Sequence, residues 1–237
     1  MSLHTRSNGA GPAPALVLFD IDGTLIRKAG PHHREALVEA VRRTLSIEST
    51  TDNVPVQGML DRDILTQMLT NEGVAQREIR RVMPELVRCA QAVYVRRCPN
   101  LEKKVCPGVR SLLYRLYRRG IPAGLVTGNL SRIAWKKMEH AGLRDFFRFG
   151  AFAESARDRA GLARMAIRQA KQEGWVARDS RISLIGDHPN DVIAAKANNI
   201  QSIAVATGLS PATELAKYAP DVLVEDLRSL RLEQLVA

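Results

Sequence analysis

Three times this chain runs through about four apolar, β-favouring residues and then stops abruptly on small polar and acidic groups. Residues 16–19 end at Asp20-Ile21-Asp22-Gly23-Thr24. Residues 123–126 end at Thr127-Gly128-Asn129, and residues 182–185 at Gly186-Asp187-His188-Pro189-Asn190-Asp191. Short apolar runs of this kind read as strands buried on both faces. Further runs occur at 203–206 and 222–224, and helical patterns separate them at 109–119, 131–141, 161–172, 191–197 and 211–217. Strands alternating with helices imply a doubly wound parallel α/β sheet, a Rossmann-like core with helices on both faces. In such sheets ligands bind beyond the carboxyl ends of the strands, where the polar groups of this chain collect.

The rhythm breaks between residues 28 and 106, which read as mostly helix, over about 31–45, 61–72 and 76–97. Gly30-Pro31 and Pro107-Gly108 punctuate the two ends of the interval. At about 150 residues per domain, a chain of 237 suggests one domain and a half. The expected organisation is therefore an α/β core formed by 14–27 and 107–237, with a small helical cap domain inserted at 28–106. A Ser- and Gly-rich tail over 1–13 is expected to be disordered.

Composition narrows the function classes. Hydrophobic residues make up 45% and charged residues 25%, ordinary for a globular protein. No apolar run approaches the ~18 residues of a membrane helix, and no basic region followed by an apolar stretch opens the chain. The three cysteines, Cys89, Cys98 and Cys106, fit neither a disulfide framework nor a zinc cluster, so reduced thiols and a cytoplasmic location are expected. The net charge of +10 is concentrated in residues 107–180, which hold 15 basic and 6 acidic side chains. Arginine outnumbers lysine 27 to 8, and aromatic residues are only 5% of the chain. Without stacking residues or a recognised motif, the basic stretch does not argue for a nucleic-acid partner.

Chemistry is concentrated at the strand ends. Two carboxylates two residues apart, Asp20 and Asp22, repel one another, and a divalent cation with oxygen ligands offsets this most simply. Gly23 permits a tight turn that frees backbone amides for an anion. Thr127, Gly128 and Asn129 offer a hydroxyl and amides at a helix start, which suits a phosphate or simply caps the helix. Asp187 and Asp191 add two carboxylates at a third strand end.

With these motifs in place, residues 15 to about 230 resemble the haloacid dehalogenase superfamily in its phosphatase branch. Asp20–Thr24 matches its Asp-x-Asp-Gly-Thr signature, Thr127 its second motif, and Gly186-Asp187 with Asp191 its fourth. Pro107-Gly108-Val109 and Gly208 are also similar. The resemblance implies hydrolysis of a small phosphomonoester with magnesium as cofactor, Asp20 as nucleophile and Asp22 as general acid and base. It implies a metal site at Asp20, Asp187, Asp191 and the backbone carbonyl of Asp22. Gly23, Thr24, Thr127, Gly128 and Asn129 would hold phosphoryl oxygens. Within that resemblance the second aspartate of the first motif, Asp22, argues for phosphate chemistry over dehalogenation. A sugar phosphomutase, a phosphonate hydrolase and a non-catalytic binding relative share the fold and stay open as alternatives.

The third motif departs from the pattern. The family expects a lysine where this chain has 156–162, a stretch without lysine. Arg159 is the candidate cation. Lys137 ranks second, because it lies two turns into its helix, ~10 Å along the axis. In the cap, Arg62 is a candidate for a substrate anion, while Asp61 reads as a helix cap. His32, His33 and His188 are weaker pocket candidates. The substrate itself and the oligomeric state are not legible.

Overall fold

The computed structural model describes residues 11–27 and 29–236. Among them the strands form one six-stranded parallel sheet in the order β3-β2-β1-β4-β5-β6. The strands are β1 (Ala13–Phe19), β2 (Ala123–Val126), β3 (Phe147–Ala151), β4 (Val176–Gly186), β5 (Gln201–Val205) and β6 (Val222–Val224). The chain winds outward from β1 to β3, then crosses to β4 on the other side of β1. The doubly wound expectation is borne out. The strand order reverses at β1, whose carboxyl end therefore lies at the topological switch point where ligands bind in such sheets.

Alternation along β1 serves both faces. Leu16 and Leu18 join one apolar cluster, and Ala15, Val17 and Phe19 join the other, all fully buried. The second cluster packs β1 and β2 on the inner faces of α4 (Val109–Arg118) and α5 (Ser131–His140). On α4 the buried Val109, Leu112, Leu113 and Leu116 form one stripe, which leaves the basic side chains on the opposite face. The first cluster contains residues of α6 (Arg159–Gln172) and α7 (Pro189–Ala197) and runs without a break into the inserted helices. These are α1 (His32–Leu45), α2 (Asp61–Asn71) and α3 (Gln76–Arg97), at the expected places. Short helices α8 (Ala212–Ala216) and α9 (Glu233–Val236) complete the core.

Three elements differ from expectation. β3 gave no continuous apolar run, because Phe-Arg-Phe-Gly-Ala alternates as a strand at the sheet edge. β4 starts at Val176 rather than 182, and its first half is polar and largely exposed. The tail expected over 1–13 lies mostly outside the described residues, and β1 already begins at Ala13.

The insertion returns to the core where it left. Ile26 bridges to Val105, and the Cys106 amide donates to the Leu25 carbonyl at 2.9 Å. The two junctions are thus one short pairing beside the Asp20–Thr24 loop.

On the edge strand Phe147 is fully buried and edge-on to Phe19 at 5.8 Å between ring centres. Phe147→Ala is expected to lower unfolding free energy by about 3–5 kcal/mol in urea titration, as for other buried phenylalanines. A loss under about 1 kcal/mol would mean that β3 contributes little to the core.

Candidate active site

Asp20 leaves β1 with its amide donating to Ile185 of β4 at 2.9 Å, and its carboxylate is 6% exposed. A tight loop follows, in which the Leu25 and Ile26 amides both donate to the Ile21 carbonyl. Gly23 has φ +91°, and a Cβ there would lie 2.1 Å from Asp187 Oδ2. The Thr24 hydroxyl donates to Asp187 Oδ1 at 3.1 Å, and the Thr207 hydroxyl donates to the Gly23 carbonyl at 2.5 Å. Asp187 is therefore seated by the loop that carries the first two aspartates. Gly208 approaches the same carboxylate, and a Cβ there would lie 1.7 Å from Oδ2.

Asp191 is in the first turn of α7. Its carboxylate accepts the His188 amide at 3.2 Å, and His188 Nδ1 accepts the Asn190 amide at 3.2 Å, a reciprocal cap. One oxygen from each of Asp20, Asp187 and Asp191 lies within 4.8 Å of the others. Asp22 is not part of this cluster. Its side chain, 42% exposed, opens to the cavity instead.

Arg159, the first residue of α6, faces the carboxylates. Its Nη1 donates to Asp20 Oδ1 at 2.7 Å and to Asp191 Oδ1 at 2.9 Å. Burial alone would lower the guanidinium pKa, but Asp191 and Asp20 outweigh it and raise the value. A single guanidinium does not balance three buried carboxylates. Burial, then the charges of Asp20 and Asp191, push Asp187 above the usual carboxylate range. Asp191 is likewise raised, by burial and by Asp20, against the opposing pull of Arg159. An excess of buried negative charge on hard oxygen donors suits a divalent cation.

Lys137 also reaches the site, but at a different carboxylate. It is 1% exposed, and its ammonium donates to Asp22 Oδ1 at 2.7 Å and Oδ2 at 2.6 Å. Distance along the helix axis understated its reach. Helical side chains slant toward the N-terminus, so the lysine stem runs back to the strand ends. Burial works against ionised Asp22, but the charge of Lys137 and the hydrogen bonds from Lys137 and Asn129 overcome it and hold its carboxyl below the ordinary range.

The second strand end is packed closely against the core and the inserted helices. Thr127 is fully buried, and its Oγ accepts the Asn129 amide at 3.3 Å. The Asn129 side chain is committed to Asp22 and Lys137, at 2.8 and 2.7 Å. Gly128 is a close-approach glycine, since a Cβ would lie 2.4 Å from the Met59 carbonyl of the cap.

The cap residues also sort themselves. Asp61 does not cap its own helix; the N-cap is Leu60, and no side chain bonds there. Its carboxylate instead accepts the Leu130 amide at 2.8 Å, at the start of α5, and pairs with His33 Nε2 at 2.9 Å. Sequence could not reveal this, because the partner lies 69 residues away in the core. Arg62 is exposed on α2 and is not brought to the cavity, nor is His32. His33 and His188 do line it, as does Arg34 of α1. The cavity holds about 750 Å³ between cap and strand ends, and Asp20, Asp22, Asp187 and Arg159 form its floor.

A family model for haloacid dehalogenase-like hydrolases matches residues 14–199. The chain belongs to the haloacid dehalogenase-like hydrolase family. Among curated relatives it is similar to a phosphoglycolate phosphatase of Pseudomonas savastanoi pv. phaseolicola, 28% identical over 231 residues, which cover 93% of this chain and 80% of that protein. A phosphoglycolate phosphatase of Synechococcus elongatus is 24% identical, over 88% of this chain and 92% of that one. Among solved structures, CbbY from Rhodobacter sphaeroides in complex with phosphate aligns with a TM-score of 0.71 at 20% identity, over 93% of this chain and 98% of that one. A β-phosphoglucomutase from Clostridium difficile aligns at 0.67 and 21%, over 93% and 94%. At these identities the structures show a shared fold, the doubly wound α/β core with its inserted helices.

The charge imbalance has a measurable sign. Asp187→Asn relieves repulsion in the metal-free protein and is expected to raise its Tm by a few degrees, about 1 kcal/mol for a chain of this size. Wild type should be stabilised by millimolar divalent cation, and the variant should not. A variant that keeps the full cation response would place the cation elsewhere.

Proposed function

We propose that the protein is a magnesium-dependent phosphatase that hydrolyses a small phosphomonoester through an aspartyl-phosphate at Asp20. The observation that carries this reading is the convergence of Asp20, Asp187 and Asp191 on one point beside Arg159, with Asp22 facing the same cavity. Asp20, Asp187 and Asp191, with the Asp22 carbonyl, would hold the magnesium ion, and all four offer the hard oxygen ligands it prefers. Bound there, the ion would neutralise phosphoryl charge as it builds.

The roles of the side chains follow from their placement. Arg159 fixes Asp20 in one orientation and, as a planar fork, has further N–H groups to offer a phosphoryl oxygen. Amides of the 22–24 loop and of Gly128, with the Thr24 and Thr127 hydroxyls, are the candidates for holding the remaining oxygens. Asp22 protonates the leaving alkoxide, and its carboxylate then takes a proton from the water that attacks phosphorus. The arriving phosphoryl dianion favours the protonated form of Asp22, opposing Lys137. The cap covers the floor, which keeps bulk water from the acyl phosphate until the leaving group departs.

The substrate class is a small phosphorylated metabolite. Two relatives carry the name phosphoglycolate phosphatase, and exposed Arg34 at the cavity is suited to a second anionic group. Phosphoglycolate is therefore the first compound to assay, within a panel of sugar phosphates and nucleotides.

Phosphate release should require magnesium and vanish in Asp20→Asn while circular dichroism is unchanged. Wild-type rates in that variant would overturn the mechanism. Arg159→Ala should lower kcat by about 10²–10³, the typical effect of removing one preorganised charge donor. Arg159→Lys should recover part of this, and a neutral Arg159→Ala would remove the residue from the site.

A further inference from the structure

Lys137 makes contacts that the hydrolytic scheme above does not use. Its ammonium has three protons and meets four acceptor atoms: both Asp22 oxygens, Asn129 Oδ1 and His33 Nδ1, the last at 3.1 Å. Asp22 and Asn129 belong to the core. His33 belongs to the cap, at the start of α1. An ammonium only donates, so His33 Nδ1 accepts and its ring proton lies on Nε2, which then donates to Asp61 Oδ2 at 2.9 Å. Asp61 is in turn anchored to the core through the Leu130 amide at 2.8 Å. The result is a continuous chain from Asp22 through Lys137 and His33 to Asp61.

The same residues dock the cap. The Asp61 amide donates to the Gly128 carbonyl at 2.8 Å, and Gln91 of α3 accepts the Arg132 amide at 2.8 Å. Two of the orphan amides around the start of α5 are thus satisfied from the cap. Buried Tyr94, also of α3, stands edge-on to His33 at 5.6 Å, with the Lys137 ammonium 5.9 Å from its ring centre. All three cap helices therefore contribute to the surroundings of one core lysine.

We propose that Lys137 is a positioning residue for Asp22, and that His33, held by Asp61, completes it only when the cap is docked. With the cap away, the ammonium keeps two core partners and gains water. With the cap in place its last proton is fixed, and the Asp22 carboxylate is clamped between Lys137 and the Asn129 amide. Docking of the cap over a substrate thereby assembles the proton-transferring group. This inference rests on the phosphatase reading above.

The test compares two esters. An alkyl phosphate needs a proton on its leaving oxygen, whereas p-nitrophenyl phosphate hardly does. Since kcat/KM reports steps up to enzyme phosphorylation, loss of Asp22 positioning should be selective for the alkyl ester. His33→Ala and Lys137→Met should lower alkyl kcat/KM by about 10–100-fold, as loss of an orienting partner does elsewhere, and at least tenfold more than for the aryl ester. His33→Asn, which keeps an acceptor near the Nδ1 position, should recover part of it. Equal losses on both esters, or no loss, would overturn the proposal. A second readout is independent of turnover. In protein with 15N-labelled lysine, the Lys137 ammonium should give a slowly exchanging resonance that is lost in His33→Ala. Its presence in wild type and loss in the variant would support the contact even if no ester were hydrolysed, in which case the phosphatase reading alone would fail. Its absence from wild type would overturn the clamp.

Discussion

The arrangement depends on crowding three carboxylates at the carboxyl ends of two neighbouring parallel strands. Asp20 and Asp187 follow β1 and β4, and Asp191 follows one helical turn later. Such crowding opposes folding, and the chain counters it with specific devices. Arg159 bridges two of the three, the Thr24 hydroxyl and the His188 amide hold individual oxygens, and glycines at 23 and 208 let backbone approach Asp187 closely. What these devices leave uncompensated is the charge that a cation would balance. A site stressed in this way gains stability from its ligand, a common trade between stability and function.

The cap solves a second problem. Helix α5 begins directly after the second strand end, and its first amides would otherwise face the cavity unpaired. Asp61 and Gln91 from the cap, and Glu154 from the core, accept the amides of Leu130, Arg132 and Ser131. Cap placement and the integrity of the core are therefore linked. Gly128 marks the point of closest approach, so the glycine read as part of a phosphate cradle serves the docking of Met59 as well.

Much of this was legible in sequence, for definable reasons. Buried parallel strands are continuous apolar runs, so β1, β2 and β5 stood out, and the abrupt polar stops located the site. The strand β3 alternates, and half of β4 is polar, so neither gave that signal in full. Among side chains, Asp20, Asp22, Asp187 and Asp191 are legible from their places at strand ends, and Arg159 from the family resemblance, which expects a cation at the entry to α6. Residues defined by long-range partners are not. Asp61 carries the pattern of a helix cap yet bonds across the domain boundary. Lys137 was ranked by its position on the helix axis, although a lysine stem pointing toward the N-terminus covers most of that distance.

The central claim is covalent: phosphorus is transferred to Asp20 before water attacks it. Rapid acid quench of enzyme turning over a 32P-labelled phosphomonoester tests it directly, followed by peptide mapping. Label that is acid-stable, released by hydroxylamine, confined to the peptide carrying Asp20 and absent from Asp20→Asn is the predicted result. Phosphate release with no labelled enzyme at any quench time, or label on another residue, would contradict the account.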